Sequence, residues 1–197
     1  MPKVITQNRT KFLLFLVPSL LPFLSIWLFS CHSGQKNPTP VPPVTLESST
    51  HLAQLQKTTM ILPSGKALEI FLALRNSEQV QGLSNLRTEQ FSADQGMLFY
   101  YFTSGPRRFW MPETHFDLDL FFMNEQLVIT DIVRNLKSHP GRQEPPAIAT
   151  TPTIEAYHVL ELKSGSPAAQ ELQIGHKIIW PKAPPPSEIE SYIRQAQ

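Results

Sequence analysis

From Thr114 onward, apolar and polar residues alternate at a period of two, the spacing of a β-strand with two distinct faces. Phe116, Leu118, Leu120 and Phe122 fall on one face, and His115, Asp117, Asp119 and Phe121 on the other. A turn at Asn124-Glu125-Gln126 leads to Leu127–Val133, which reads as the hairpin partner. Tyr157–Leu162 alternates in the same way, with Tyr157, Val159 and Glu161 opposite His158, Leu160 and Leu162. Upstream, Thr58–Leu62 and Ala67–Leu74 flank Pro63-Ser64-Gly65-Lys66, the signature of a hairpin around a tight turn. Gly96–Phe102 is too aromatic and too short for a surface helix and predicts a buried strand, Phe109-Trp110-Met111 predicts another, and Lys177–Trp180 a last short one. Helical signals are fewer. Asn76 can cap a short helix, with Gln79 reaching back in a capping box and Gly82 at its end. Ser166 and Pro167 open a second helix, which Gly175 closes. The expected fold is therefore mainly β, α+β at the margin: a compact antiparallel sandwich- or barrel-like single domain with two short helices. Its expected core includes Phe99, Trp110, Leu118, Leu120 and Leu160, and His139–Thr153 reads as a long loop beside the sheet.

Before this domain the pattern changes. Lys3, Arg9 and Lys11 precede an apolar run from Phe12 to Phe29, and Ser30-Cys31 follows. A basic region, an apolar region and a small residue at the break make a secretory signal, here of the bacterial lipoprotein kind, with Cys31 acylated as the new N-terminus. A plain membrane anchor fits less well, because Pro18 and Pro22 each remove a backbone donor from the helix. Pro38-Thr39-Pro40-Val41-Pro42-Pro43 then predicts an extended linker. The expected organisation is a signal over residues 1–30, a lipidated Cys31 and linker over 31–53, the β domain over 54–182, and a Pro-rich tail over 183–197 containing a short amphipathic helix. The implied setting is the bacterial cell envelope, with the protein attached to a membrane through its lipid.

Cys31 is the single cysteine of the chain, so after lipidation no thiol remains for a disulfide, a nucleophile or a zinc–sulfur site. The chain carries 17 Lys+Arg and 16 Asp+Glu. Removal of the signal takes Lys3, Arg9 and Lys11 and leaves 14 against 16, so the basic footprint of a nucleic-acid partner is missing. The histidines at 32, 51, 115, 139, 158 and 176 form no i,i+4 pair and no HExxH. No metal, cofactor, phosphate loop or GxSxG elbow is expected.

The candidate chemistry is polar and sparse. His115, Asp117 and Asp119 on one strand face can share a proton or hold a cation, or can simply be the solvated side of a half-buried strand. Trp110 offers a stacking face or a core side chain. Arg107-Arg108 offers an anion clamp or a solvated pair. Arg87 can pair with Asp119 or Glu161 across the fold, or bind a ligand.

Three segments together resemble the DUF192 family, also catalogued as UPF0127: Gly82-Leu83-Ser84 with Arg87; Gly96-Met97-Leu98-Phe99 followed by Phe109-Trp110-Met111, Thr114 and Leu118-Asp119; and Tyr157–Leu162 with Gly165, then Ile174-Gly175. Pro112-Glu113, Asp117 and His176 depart from the pattern, where Lys-Asn, Pro and Asp are usual. The resemblance implies a compact β-rich fold, an extracytoplasmic setting and no established reaction. Arg87 and Asp119 match its polar positions, and with Trp110 they are the ligand-binding candidates. The expected function is a membrane-tethered binding or accessory module for an envelope protein or small molecule. The alternatives are an envelope hydrolase or lyase using Asp119, and a purely structural lipoprotein. A cleft joining Asp119 to Arg87 around a shifted carboxylate would favour the enzyme; a filled interior would favour the binding module.

Overall fold

A computed structural model describes residues 51–195, so the expected signal, Cys31 and most of the proline-rich linker lie outside the described residues. Within them the chain runs β1 Gln56–Ile61, β2 Ala67–Ala73, α1 Asn76–Gln81, β3 Gln95–Phe99, β4 Gly105–Arg107, β5 Leu118–Met123, β6 Ile129–Leu136, β7 Ile154–Ala156, β8 His158–Lys163, α2 Pro167–Glu171 and α3 Pro186–Arg194. Six strands form one sheet in the order β1-β2-β3-β8-β5-β6, and β4 and β7 form a two-stranded ribbon. Every pair is antiparallel except β2–β3, which is parallel because α1 and its loops carry the chain back across the sheet.

The tight turn joins β1 to β2 in register, with Ile61 opposite Ala67 and Gly65 at φ +86°. The sheet is not closed into a barrel, but the segment after α2 bonds to both of its ends. Ile178 N–H donates to Leu127 O (3.0 Å), while Ile61 and Ile179 exchange N–H···O bonds at 2.8 and 3.0 Å. The strand expected at Lys177–Trp180 is therefore an extended strap with isolated bridges at Lys177 and Ile179.

Alternation in the central strands sorts side chains into two cores, one on each face. Phe71, Met97, Phe99, Leu118, Leu120, Phe122 and Val159 lie on one, under Leu52, Leu83, Leu86, Phe91, Met111 and Phe116 from the loops. Leu68, Ile70, Leu98, Phe121, Met123, Leu160 and Leu162 lie on the other, with Ala168, Leu172, Ile178 and Ile189 from α2, the strap and α3. Gly96 on β3 belongs to this second face: a Cβ there would sit 2.8 Å from Leu162 Cδ2 and 2.9 Å from Ile70 Cδ1.

Four expectations need correction. β5 begins at Leu118, not Thr114, and every residue in it is buried, so its second face is core and not a solvated side. Gly105–Arg107, where no strand was expected, is β4. Phe109–Met111 is extended but holds only a bridge from Trp110 to Thr150. Trp110 is not core: alternation turns Phe109 and Met111 inward and leaves the indole 56% exposed. The amphipathic C-terminal segment does form a helix, α3, and buries Ile189 against the second core.

Candidate functional site

The loops over the first core leave a cleft of about 500 Å³, a volume suited to a small molecule. One wall is α1 and the turn after it. Glu78 fixes the start of α1 by accepting N–H bonds from Leu74 and Arg75, both 2.9 Å, one residue earlier than the Gln79 box expected from sequence. Gln79 instead donates to the carbonyls of Ala73 and Tyr100, tying the helix to the ends of β2 and β3. Gly82 ends the helix at φ +49°, a conformation that L side chains rarely adopt, with Phe99 Cζ 3.4 Å from where a Cβ would sit. Ser84 Oγ donates to Pro112 O (3.0 Å), and Asn85 N–H to Glu113 O (2.7 Å), so the Gly82-Leu83-Ser84 turn is fastened to the segment carrying Trp110 and Met111.

The opposite wall carries Arg107, Arg108, Phe109 and Trp110. The Arg107 guanidinium lies 3.6 Å from the centre of the Tyr101 ring and donates to Ala156 O (3.2 Å) and Thr103 O (2.7 Å). Arg108 donates to Thr150 Oγ1 at 3.3 Å. Val80 and Trp110, both strongly exposed, face the opening.

Glu161 reaches the floor of the cleft from the middle of β8, between Met97 of β3 and Leu120 of β5. It is 4% exposed, and among the described residues no side chain or backbone N–H bonds its carboxyl, which opens onto the cleft. Burial alone pushes its carboxyl up to about 8, so at neutral pH it holds its proton and presents an O–H. Burial also raises the Tyr101 hydroxyl, with Arg107 pulling the other way. Behind this site, on the other side of β8, buried His158 is held down to about 4 by desolvation and by Arg107.

Of the three sequence candidates, only Trp110 lines the cleft. Asp119 points to the other face of the sheet, where its Oδ2 accepts from Arg134 (2.9 Å) and its Oδ1 from the Asn135 N–H (2.8 Å). Arg134 also donates to the carbonyls of Ala169 and Leu172 at the end of α2. The carboxylate thus pins a bulge in β6, where Asn135 has φ +53° and the register slips between Leu118 and Leu120. Arg87 is exposed beside the 3-10 turn Thr88–Gln90, where its backbone N–H bonds Gln90 Oε1 (2.8 Å), and it pairs with neither Asp119 nor Glu161. His115 is exposed, and Asp117 pairs with Lys137 at 2.8 Å, so the proposed acidic face is dispersed. Among the described residues no group of three or more His, Cys, Asp and Glu converges as metal ligands. Glu161 is the site residue that sequence reasoning passed over as a possible structural partner. Its signal was a lone acid on the inward face of an otherwise apolar strand.

A small mainly β domain with a cleft floored by a buried carboxyl and rimmed by arginine and tryptophan is the class that fold and site define. The chain belongs to the DUF192 family, described as "Uncharacterized ACR", whose model matches residues 59–180. Two bacterial crystal structures are similar. One, from Sinorhizobium meliloti 1021 and described as a "putative transcription regulator", is 29% identical over 64% of this chain and 94% of its own, with a TM-score of 0.51. The other, a protein of unknown function from Novosphingobium aromaticivorans DSM 12444, is 26% identical over 64% of this chain and 85% of its own, with a TM-score of 0.49. The curated proteins gave no match.

Proposed function

We propose that this DUF192 chain is a lipid-tethered module of the bacterial cell envelope that binds a small molecule in the Glu161 cleft. One observation carries the binding half: a carboxyl buried without a partner on the floor of an open cleft. Such burial costs stability unless something supplies the missing hydrogen bond. A purely structural lipoprotein has no use for that cost, whereas a ligand that enters the cleft recovers it. The tether half rests on the basic, apolar and Ser30-Cys31 order of the N-terminus.

A hydrolase or lyase acting through Asp119 has less support. That carboxylate is paired with Arg134 and committed to the β6 bulge. The transcription-regulator wording attached to the Sinorhizobium protein is not carried over, because near-balanced charge gives no excess for phosphate backbones.

The full chain, wild type and Trp110→Ala, can be dialysed against small molecules extracted from cell envelopes, with retained compounds read by mass spectrometry. The wild type is expected to retain a compound that the equally folded variant retains less. Equal retention by both contradicts the cleft reading. Separately, Cys31→Ala should abolish incorporation of labelled fatty acid, and unchanged labelling contradicts the tether.

A further inference from the structure

Taking the cleft as a ligand site, as proposed above, we infer that it selects a small anion with a flat face: the anionic group meets Arg107 and Arg108, the flat part lies on Trp110, and Glu161 donates a hydrogen bond from the floor. The β4 and 109–111 wall of the cleft leaves donors open, while α1 across from it keeps the side-chain oxygens of Asn76, Gln79 and Gln81 as acceptors. Trp110 and Tyr101 both line the cleft, and among the described residues neither the indole N–H nor the phenol hydroxyl makes a hydrogen bond. Arg107 spends its Nε and Nη2 on carbonyls and keeps Nη1, while Arg108 has only the Thr150 contact. An array of donors is completed by acceptors, and guanidinium edges match carboxylate best.

Charge points the same way. The ionisable side chains facing Glu161 within the cleft are Tyr101, after β3, with Arg107 on β4 and Arg108 beyond it; α1 presents Asn76, Gln79 and Gln81, β3 presents Phe99 and β5 Leu118, none of them charged. With Glu161 holding its proton up to about pH 8, the lining carries two positive charges and no negative one. A cation would meet both arginines and would have to ionise a desolvated carboxyl. An anion meets the arginines and leaves the carboxyl neutral. Loss of the Glu161 proton turns the floor donor into a charged acceptor aimed at the ligand, so affinity for an anion falls at alkaline pH.

Benzoate, benzamide and benzamidine share one ring and differ in charge. Each can be titrated into the full chain and followed by the indole N–H resonance of Trp110, assigned by its loss in Trp110→Phe. Benzoate is expected to bind at pH 7 about tenfold more tightly than benzamide, the order of a charge-assisted hydrogen bond. Its affinity should drop about tenfold per pH unit above about pH 8. In Glu161→Gln, which keeps an N–H donor and cannot titrate, benzoate should still bind and the pH dependence should vanish. Benzamide or benzamidine binding as tightly as benzoate overturns the anion preference while leaving the cleft a ligand site. A shift with none of the three overturns both. An alkaline loss of benzoate that persists in Glu161→Gln overturns the role of Glu161.

Discussion

Trp110, expected in the core, is outside, and Glu161, read only as a possible partner of Arg87, is inside without that partner. A strand-like Phe-Trp-Met run has two phases, and periodicity does not say which one faces the core. Phe109, packed edge-on to Phe99 with ring centres 4.9 Å apart, and buried Met111 take the inner phase. Trp110→Ala should therefore change unfolding free energy by no more than ~0.5 kcal/mol, as for an exposed position, and not by the ~3–5 kcal/mol of a buried aromatic. Urea unfolding of the two proteins checks this. A loss of several kcal/mol would put the indole back in the core.

At the scale of elements, Asp119 explains its place in the family pattern structurally. It joins β5 to the β6 bulge and, through Arg134, to the last carbonyls of α2. Asp119→Ala should cost about 2–3 kcal/mol, below the ~3–5 kcal/mol of a fully buried pair, because the Arg134 side chain keeps 40% exposure and can be solvated. Hydrogen exchange should quicken at Asn135 and along α2 and stay unchanged at α1; uniform quickening would deny the local role. Gly96→Ala should cost about 1–3 kcal/mol by overpacking against Ile70 and Leu162, read as a lower melting temperature. The strands from 58 to 74, from 96, around 118–136 and at 157–162 were legible because alternation and turn residues act over a few neighbours. So was α2, whose Ser166 cap accepts from Ala169 N–H (3.2 Å) as read. The ribbon β4–β7 was not, since Gly105-Pro106-Arg107 has no alternation and is held by a partner some fifty residues away. The cleft was illegible for the same reason. Its walls come from α1, β4 and the 109–114 segment, and only their packing reveals that the acid between Met97 and Leu120 has no partner.

For the whole molecule, the buried acid and the buried histidine set the pH dependence of stability. His158 has a depressed folded value, so its contribution is present above about 6.5 and is lost as pH falls toward about 4. Glu161 has a raised one, so its contribution is full below about 4.5 and is lost as pH rises toward about 8. Between pH 4.5 and 6.5 the two slopes oppose each other; above 6.5 only that of Glu161 remains. Unfolding free energy of the wild type should fall by about 2 kcal/mol from pH 6.5 to 8, and Glu161→Gln should flatten that fall. A flat wild-type profile, or a variant with the same slope, would assign the effect elsewhere. The central claim, that the floor of the cleft is an uncharged acid at neutral pH, has a direct measurement. The side-chain carboxyl carbons of glutamate can be followed by NMR through a pH titration of the full chain, with Glu161 assigned by the resonance missing in Glu161→Gln. A midpoint near pH 8 is expected. A midpoint near the ordinary glutamate value of about 4.3 would contradict it.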